Sequence, residues 1–271
     1  MVKKLCKYEI ASYVKTMLPM LAVLGGVAVL NRIIQFFETD TTAYNIFFKS
    51  SLVFLIITML VCLVMAFAVS VIRFYRNMFT QEGYLTMTLP VTPSQHLFAK
   101  TLTAFLCCVV TALTVLAAAA VASSGEPLVE VYKAVVYLLG KFVGIMGKTN
   151  AVFIIIEAAV AVLLSLVSAL LLFYGCCSVG QLAKKNKILL SVGVYFGYYF
   201  ICQMLGTVLV IIFAVLSMNQ KFMENVLRFI SNHFALCAHG FMIGIIIFEL
   251  VIILLYSLVS KAIIKKKLNI E

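Results

Sequence analysis

The sequence predicts an all-α polytopic membrane protein with six transmembrane helices, an N-terminal interfacial helix and two external amphipathic helices. Hydrophobic residues make up 64% of the 271 residues and charged residues only 11%, whereas a soluble domain has about 25% charged residues. Six apolar segments also reach the roughly 20 residues that a helix needs to cross a bilayer. This composition excludes a soluble globular domain and a disordered chain.

Residues 1–16 predict a helix that lies on the membrane surface and leads into the first span. An apolar stripe repeats there at helical spacing, while the lysines lie on another face. Pro19 falls at the start of the following span, where a proline kinks a helix. The stripe consists of Cys6, Ile10, Tyr13, Val14 and Met17, and the lysines are Lys4, Lys7 and Lys15.

The six predicted spans belong to one transmembrane domain that covers residues 1–271. The first span is the weakest, because Arg32 interrupts its outer end, where a long cationic side chain can reach the surface. The predicted spans are 17–37, 50–72, 97–121, 151–174, 188–217 and 240–260.

Two further helical segments have an apolar and a charged face. Residues 128–146 are long enough to span, but they carry Glu130, Lys133 and Lys141. Each of these charges costs about 2.5–3.5 kcal/mol near the centre of a span. Residues 220–231 repeat the same pattern. Both segments therefore predict amphipathic helices on the outer membrane surface or against the bundle.

The basic residues predict the orientation of the chain. With both termini in the cytoplasm, most of the 21 lysine and arginine residues face inward, including the groups at 184–187 and 265–267. This distribution obeys the positive-inside rule and accounts for the net charge of +11 without a nucleic-acid partner. The prediction is a multi-pass protein of the bacterial plasma membrane with eight free cysteines and no metal site.

The loop between the second and third spans, residues 73–96, is too structured for a simple linker. Thr92-Pro93-Ser94-Gln95 forms a capping box with proline at the first helical position. Gly83 ends or turns the preceding helix, and a positive φ is the expected reason for a glycine there. The apolar residues 84–91 predict either a docking site for another protein or a loop packed beneath its own bundle.

This region resembles the cytoplasmic signature of bacterial ABC-2-type permeases, the membrane subunits of ATP-driven exporters. The residues that carry the resemblance are Phe74-Tyr75, Phe79, Glu82-Gly83-Tyr84-Leu85-Thr86, Thr88-Leu89-Pro90-Val91 and Lys100. The resemblance implies that residues 73–96 are a coupling segment seated in a groove of a separate ATPase. It implies ATPase-docking roles for Arg76, Phe79, Glu82, Gly83, Tyr84, Leu85, Thr88, Leu89 and Pro90.

The same resemblance implies a transporter that exports a hydrophobic, amphipathic or peptide-like substrate. Its partners would be an ABC ATPase and a second permease subunit, identical or similar, within the lipid bilayer. The chain has no phosphate loop of its own, since Gly147-Lys148-Thr149 lacks the required first glycine and position 142 is Phe. We therefore expect no enzymatic activity and no bound cofactor, with ATP and Mg²⁺ held by the partner.

Glu157 and Glu249 are the only acids inside the predicted spans. Such acids either line a pathway or pair within the bundle, and no lysine or histidine inside a span offers an obvious partner. Gly193 and Gly197 predict close helix packing, within one bundle or between subunits. The alternatives to an ABC permease are a proton-coupled secondary transporter that uses the two glutamates, and a non-transporting sensor or immunity subunit.

Overall fold

The computed structural model describes residues 2–37, 41–80, 83, 91–122, 126–183 and 185–266. Across these residues the chain forms eight helices and no strands, so the all-α prediction is confirmed. The helices are α1 (Val2–Phe36), α2 (Thr42–Phe79), α3 (Pro93–Ala122), α4 (Glu126–Met146), α5 (Lys148–Gly180), α6 (Lys187–Ser217), α7 (Gln220–Asn232) and α8 (Phe234–Lys266).

Six of these helices are long and apolar enough to cross a membrane: α1, α2, α3, α5, α6 and α8. Each contains one predicted span, except that α1 ends at Phe36, one residue before the predicted end of the first span. The remaining two, α4 and α7, cover the segments predicted as amphipathic helices. The six helices are consistent with a multi-pass membrane protein, while the side on which α4 and α7 lie stays a prediction.

Helix α1 is continuous from Val2 to Phe36 and includes Pro19. No helix boundary separates the predicted interfacial segment 1–16 from the first span. A proline near the start of a spanning segment removes one backbone donor without ending the helix here. The position of residues 1–16 relative to the membrane surface stays a prediction.

The chain forms two compact units, Met1–Leu139 (unit 1) and Gly140–Glu271 (unit 2), and the boundary falls inside α4. That both units belong to one domain stays a prediction. In unit 1, helices α1, α2 and α3 all pack against one another. Their core consists largely of small or slender side chains, which let the helices approach closely. Its members are Leu24, Ala28, Leu55, Cys62, Ala118 and Ala122.

In unit 2, helix α5 packs against both α6 and α8, and the short α7 contacts α6 and α8. The turn from α5 to α6 is tight. A Cβ atom at Gly180 would overlap the Ser191 side chain and lie 2.8 Å from the Lys187 carbonyl oxygen. Asn186 supplies the left-handed backbone conformation before α6, with φ of 57°, which asparagine tolerates better than most residues.

Candidate functional site

A cluster of charged side chains joins the three long helices of unit 1 at one end. We call Glu9, Tyr13, Arg73 and Lys100 the Glu9 cluster. The Lys100 Nζ atom lies 2.6 Å from Glu9 Oε1, and Arg73 Nη2 lies 3.8 Å from Glu9 Oε2. The Arg73 guanidinium carbon also lies 4.4 Å from the centre of the Tyr13 ring. One carboxylate and one aromatic ring of α1 thus hold cations from α2 and α3.

The Glu9 cluster is largely removed from solvent. The exposed fraction of the side chain is 5% for Lys100, 14% for Glu9 and 16% for Arg73. A buried charge is tolerated when it is paired and hydrogen-bonded, and removal of one partner typically costs about 3–5 kcal/mol. Because these charges are buried, stable packing of the helix ends requires the contacts of Glu9. An exposed surface pair would not impose this requirement.

Helical spacing explains how each chain segment delivers its residues. Glu9 and Tyr13 are four residues apart and share one face of α1, and His96 and Lys100 do the same on α3. Arg73 lies near the end of α2, two turns before that helix stops at Phe79. The cluster therefore joins the ends of α2 and α3 that residues 80–92 connect along the chain.

Aromatic side chains near the end of α2 pack against one another. Phe74 and Phe79 are 1% and 2% exposed, and their rings meet edge to face with centroids 5.7 Å apart. The ring of Tyr75 lies 5.9 Å from that of Phe79. The helix ends at Thr80 because the backbone of this residue is extended. Its N–H and its hydroxyl both donate to the Arg76 carbonyl oxygen.

The predicted docking residues separate into three groups. Arg76 is exposed, as a contact residue must be. Phe79 is buried and supports the end of α2 from inside, although the resemblance implied a docking role. Gly83 is buried, and its N–H donates to the Thr80 carbonyl oxygen at 2.7 Å. Those outside the described residues are Glu82, Tyr84, Leu85, Thr88, Leu89 and Pro90.

Close packing against the end of α2 requires a glycine at position 83. A Cβ atom there would lie 2.6 Å from the carbonyl oxygen of Met78, so only a hydrogen fits at this position. The expected positive φ at Gly83 stays a prediction, because its two chain neighbours lie outside the described residues.

The predicted start of α3 is confirmed. Pro93 is the first residue of the helix, and the Thr92 N–H donates to Gln95 Oε1 at 3.1 Å. This bond is one half of a capping box. The Thr92 hydroxyl makes its contact with the Ser94 hydroxyl at 3.2 Å. The α3 end of the coupling segment is therefore held by local hydrogen bonds.

In unit 2, Glu157 of α5 has a partner that the sequence analysis missed. Both of its carboxylate oxygens lie 3.0 Å from Nδ1 of His239 on α8. The side chains of Glu157 and His239 are 21% and 23% exposed. The expectation that no histidine offers a partner was wrong, because His239 lies one residue before the predicted sixth span and was counted outside it.

Glu249, the second predicted pathway residue, lies further along α8 and is half-buried. Its Oε2 atom is buried and makes no hydrogen bond to a described residue. Tyr256 lies two turns later on the same face of α8, and its ring meets Tyr198 of α6 with centroids 5.9 Å apart. Glu249 and Tyr256 therefore place two polar groups on one face of α8.

Gly193 and Gly197 do not bring helices together within the described chain. Both are exposed, and a Cβ atom at either position would meet nothing within 4 Å. Packing within one bundle, the first of the two predicted roles, is therefore wrong, while packing between subunits stays a prediction. All eight cysteines are free thiols, and the described residues contain no group of three potential metal ligands.

No protein-family model, curated protein or solved structure matches this chain. The functional interpretation therefore rests on its residues and on their geometry.

Proposed function

We propose that this chain is the permease subunit of an ATP-driven ABC transporter of the ABC-2 type. It works as a homodimer or heterodimer in the bacterial plasma membrane, with both termini in the cytoplasm and separate ATPase subunits docked on residues 73–96. It exports a hydrophobic, amphipathic or peptide-like substrate. The signature at residues 74–91 with Lys100 and the six apolar helices support the proposal.

The observation that carries the proposal is the position of the Glu9 cluster beside the coupling segment. Lys100 belongs to the signature, and its ammonium group contacts Glu9 of α1 at 2.6 Å. The segment is continuous with α2 and α3, and α1 has no covalent link to it other than through α2. The buried pairs of Glu9 with Lys100 and Arg73 supply a direct mechanical link from both helices to α1.

A mechanism follows from this arrangement. Closure of the ATPase subunits pushes the coupling segment, which displaces the adjoining ends of α2 and α3. Because separating buried opposite charges is costly, Glu9 keeps its partners and α1 moves with them. The three spanning helices of unit 1 then respond together and switch access to the space between permease subunits. ATP and Mg²⁺ act on the partner, and this chain contributes no catalytic group.

Docking through the coupling segment is tested by the double variant Tyr84→Ala with Leu85→Ala. Truncation of an apolar anchor at an interface often costs more than about 2 kcal/mol, which is about thirtyfold in affinity. We expect the variant to insert and to melt like the wild type, yet to lose its ATPase. The measurement is the molar ratio of ATPase to permease after purification in mild detergent, with mass spectrometry to identify the partner.

Lys265→Ala is the matched control, since Lys265 is exposed on the same predicted membrane side but lies outside the signature. It should keep the normal ratio. Full recovery of the ATPase with the double variant would remove the docking role of this segment. Absence of any ATPase from the wild-type preparation would count against the ABC permease. Complexes that form without substrate-dependent ATP turnover would favour the sensor or immunity alternative.

The pair of Glu157 and His239 favours one second candidate, a proton-coupled secondary transporter. Acidic and histidine side chains that meet inside a membrane form the proton relays of pumps and transporters, and Nδ1 of His239 lies 3.0 Å from both carboxylate oxygens of Glu157. The two functions differ in their energy source. Flux into or out of vesicles that follows a pH gradient without any ATPase would support proton coupling, and flux that requires ATP and the ATPase would support the ABC permease.

A further inference from the structure

A groove runs along unit 1 between α1 and α3, and it consists of two adjoining cavities that share Ile10. Their volumes are about 430 Å³ and 490 Å³. Both volumes lie within the roughly 300–1,000 Å³ that is typical of small-molecule sites. We call these two cavities together the α1–α3 groove. It lies entirely within unit 1 and is separate from the coupling segment.

The first cavity has almost purely apolar walls. Its α1 side is formed by residues spaced three or four apart, which places them on one helical face. The α3 side adds branched aliphatic side chains at the same level. The wall residues on which the argument depends are Ile10, Val14, Leu18 and Leu21 of α1 and Leu106 and Val110 of α3.

The length of this wall matches one leaflet of a membrane. From Ile10 to Leu21 it extends about 16 Å along the helix at 1.5 Å per residue. Half of a hydrocarbon core of roughly 30 Å is about 15 Å. An acyl chain of one leaflet can therefore lie along the groove for most of its length, with apolar contact on both sides.

The second cavity ends the groove with positive charge. Lys3 and Lys7 line it together with Phe98 of α3, and both lysines are exposed. They lie two turns and one turn before Ile10, where α1 passes from its charged end to its apolar stretch. Each basic residue at this position beside a span raises the affinity for anionic lipid headgroups by about fivefold. The groove thus has a cationic end and an apolar trunk.

We propose that the α1–α3 groove binds one anionic phospholipid from the leaflet beside the N-terminus. This proposal places residues 10–16 within the leaflet, as the continuity of α1 from Val2 to Phe36 allows, and so departs from the surface position predicted for residues 1–16. One acyl chain lies between α1 and α3, and the phosphate pairs with Lys3 and Lys7. Tyr13 lines the groove and also contacts Arg73, so the bound chain touches a member of the Glu9 cluster. The proposal uses only unit 1 and does not depend on the transport function.

Intrinsic tryptophan fluorescence provides the test, because the chain contains no tryptophan. Leu18→Trp places a single indole in the groove at an exposed position that accepts a larger ring. Leu116→Trp places the same indole on an exposed face of α3 outside the groove. Each variant is reconstituted into phosphatidylcholine vesicles that contain a quencher lipid with brominated acyl chains, either phosphatidylglycerol or phosphatidylcholine.

For Leu18→Trp, we expect brominated phosphatidylglycerol to quench the indole at about 25-fold lower mole fraction than brominated phosphatidylcholine, since each of the two lysines contributes about fivefold. For Leu116→Trp, the two lipids should quench the indole equally. In the Leu18→Trp background, the double variant Lys3→Ala with Lys7→Ala should bring the ratio of the two quenching mole fractions close to one. Lys4→Ala with Lys15→Ala removes the same charge from exposed positions of α1 that do not line the groove, and it should leave most of the selectivity.

Two results would overturn the proposal. Equal quenching of the groove indole by the two lipids would show that the groove does not select an anionic headgroup. The same selectivity in both tryptophan variants, or an equal loss in both lysine pairs, would show a general attraction of anionic lipid to a basic surface. Recovery of each variant as a monodisperse peak in detergent establishes that the quenching compares folded proteins.

Discussion

The two units place their charged side chains in different ways. In unit 1, Glu9, Arg73 and Lys100 gather at one end of three helices, and the shortest pair is 2.6 Å apart. In unit 2, Glu157 meets His239 at 3.0 Å between two helices, and both side chains are about one-fifth exposed. Opposite charges that are buried together hold helices in place, since removing one partner is costly, whereas an acid beside a histidine inside a membrane is the kind of pair that proton relays use. The comparison predicts a stabilising and transmitting role for the first group and a proton-relay role for the second.

Loss of Glu9 should have the largest effect. Glu9→Gln removes the carboxylate that Lys100 and Arg73 share, and breaking a buried pair typically costs about 3–5 kcal/mol. We expect a clear fall in the melting temperature of the purified protein. Glu130→Gln, on an exposed position of α4, is the control and should melt like the wild type. A Glu9→Gln protein of unchanged stability would show that the cluster does not hold the helices.

Gly83→Ala should have the next largest effect. Its methyl group would lie 2.6 Å from the Met78 carbonyl oxygen, and forced overpacking typically costs about 1–3 kcal/mol. The turn after α2 must then open, so we expect weaker recovery of the ATPase with a moderately lower melting temperature. A methyl group at Gly25 would meet nothing within 4 Å, so Gly25→Ala should change neither the ATPase recovery nor the melting temperature. Normal ATPase recovery with Gly83→Ala would show that the close turn is not needed for docking.

The pair in unit 2 should contribute less to stability. Interhelical hydrogen bonds in membrane proteins average about 0.6 kcal/mol, so Glu157→Gln and His239→Gln should each lower the free energy of unfolding by less than about 1 kcal/mol. A double-mutant cycle measures their coupling. Coupling larger than that of the Glu9–Lys100 pair in the same assay would reverse the assigned roles of the two units.

Glu249→Gln should change stability least. Its Oε2 atom makes no hydrogen bond to a described residue, and glutamine has nearly the same shape. We expect normal expression and assembly, with an altered rate or pH dependence of transport, as for a carboxylate that lines a pathway. Wild-type flux at every pH would remove it from the pathway. Ile247→Val, at an exposed position of the same helix, controls for a general effect on α8.

Local patterns were enough to predict most of the architecture. A run of about 20 apolar residues indicates a spanning helix whatever surrounds it, and the six predicted spans each fall in one long helix. The capping residues at Thr92–Gln95 and the helices over 126–146 and 220–232 followed from spacing within a few turns. These features depend on hydrogen bonds and hydrophobic periodicity between neighbours in the chain, which the sequence displays directly.

The tertiary structure decided which faces meet. Glu9 and Lys100 are 91 positions apart, and Glu157 and His239 are 82 apart, so no local pattern pairs them. The sequence carries one signal that Glu9 has a partner. It is the only acid before position 38, and it borders the apolar stripe of its helix. The glycine spacing on α6 brings no described helix close, whereas a close approach makes Gly83 necessary. Such outcomes depend on how each helix is rotated against its neighbours, and side-chain packing between distant segments sets that rotation.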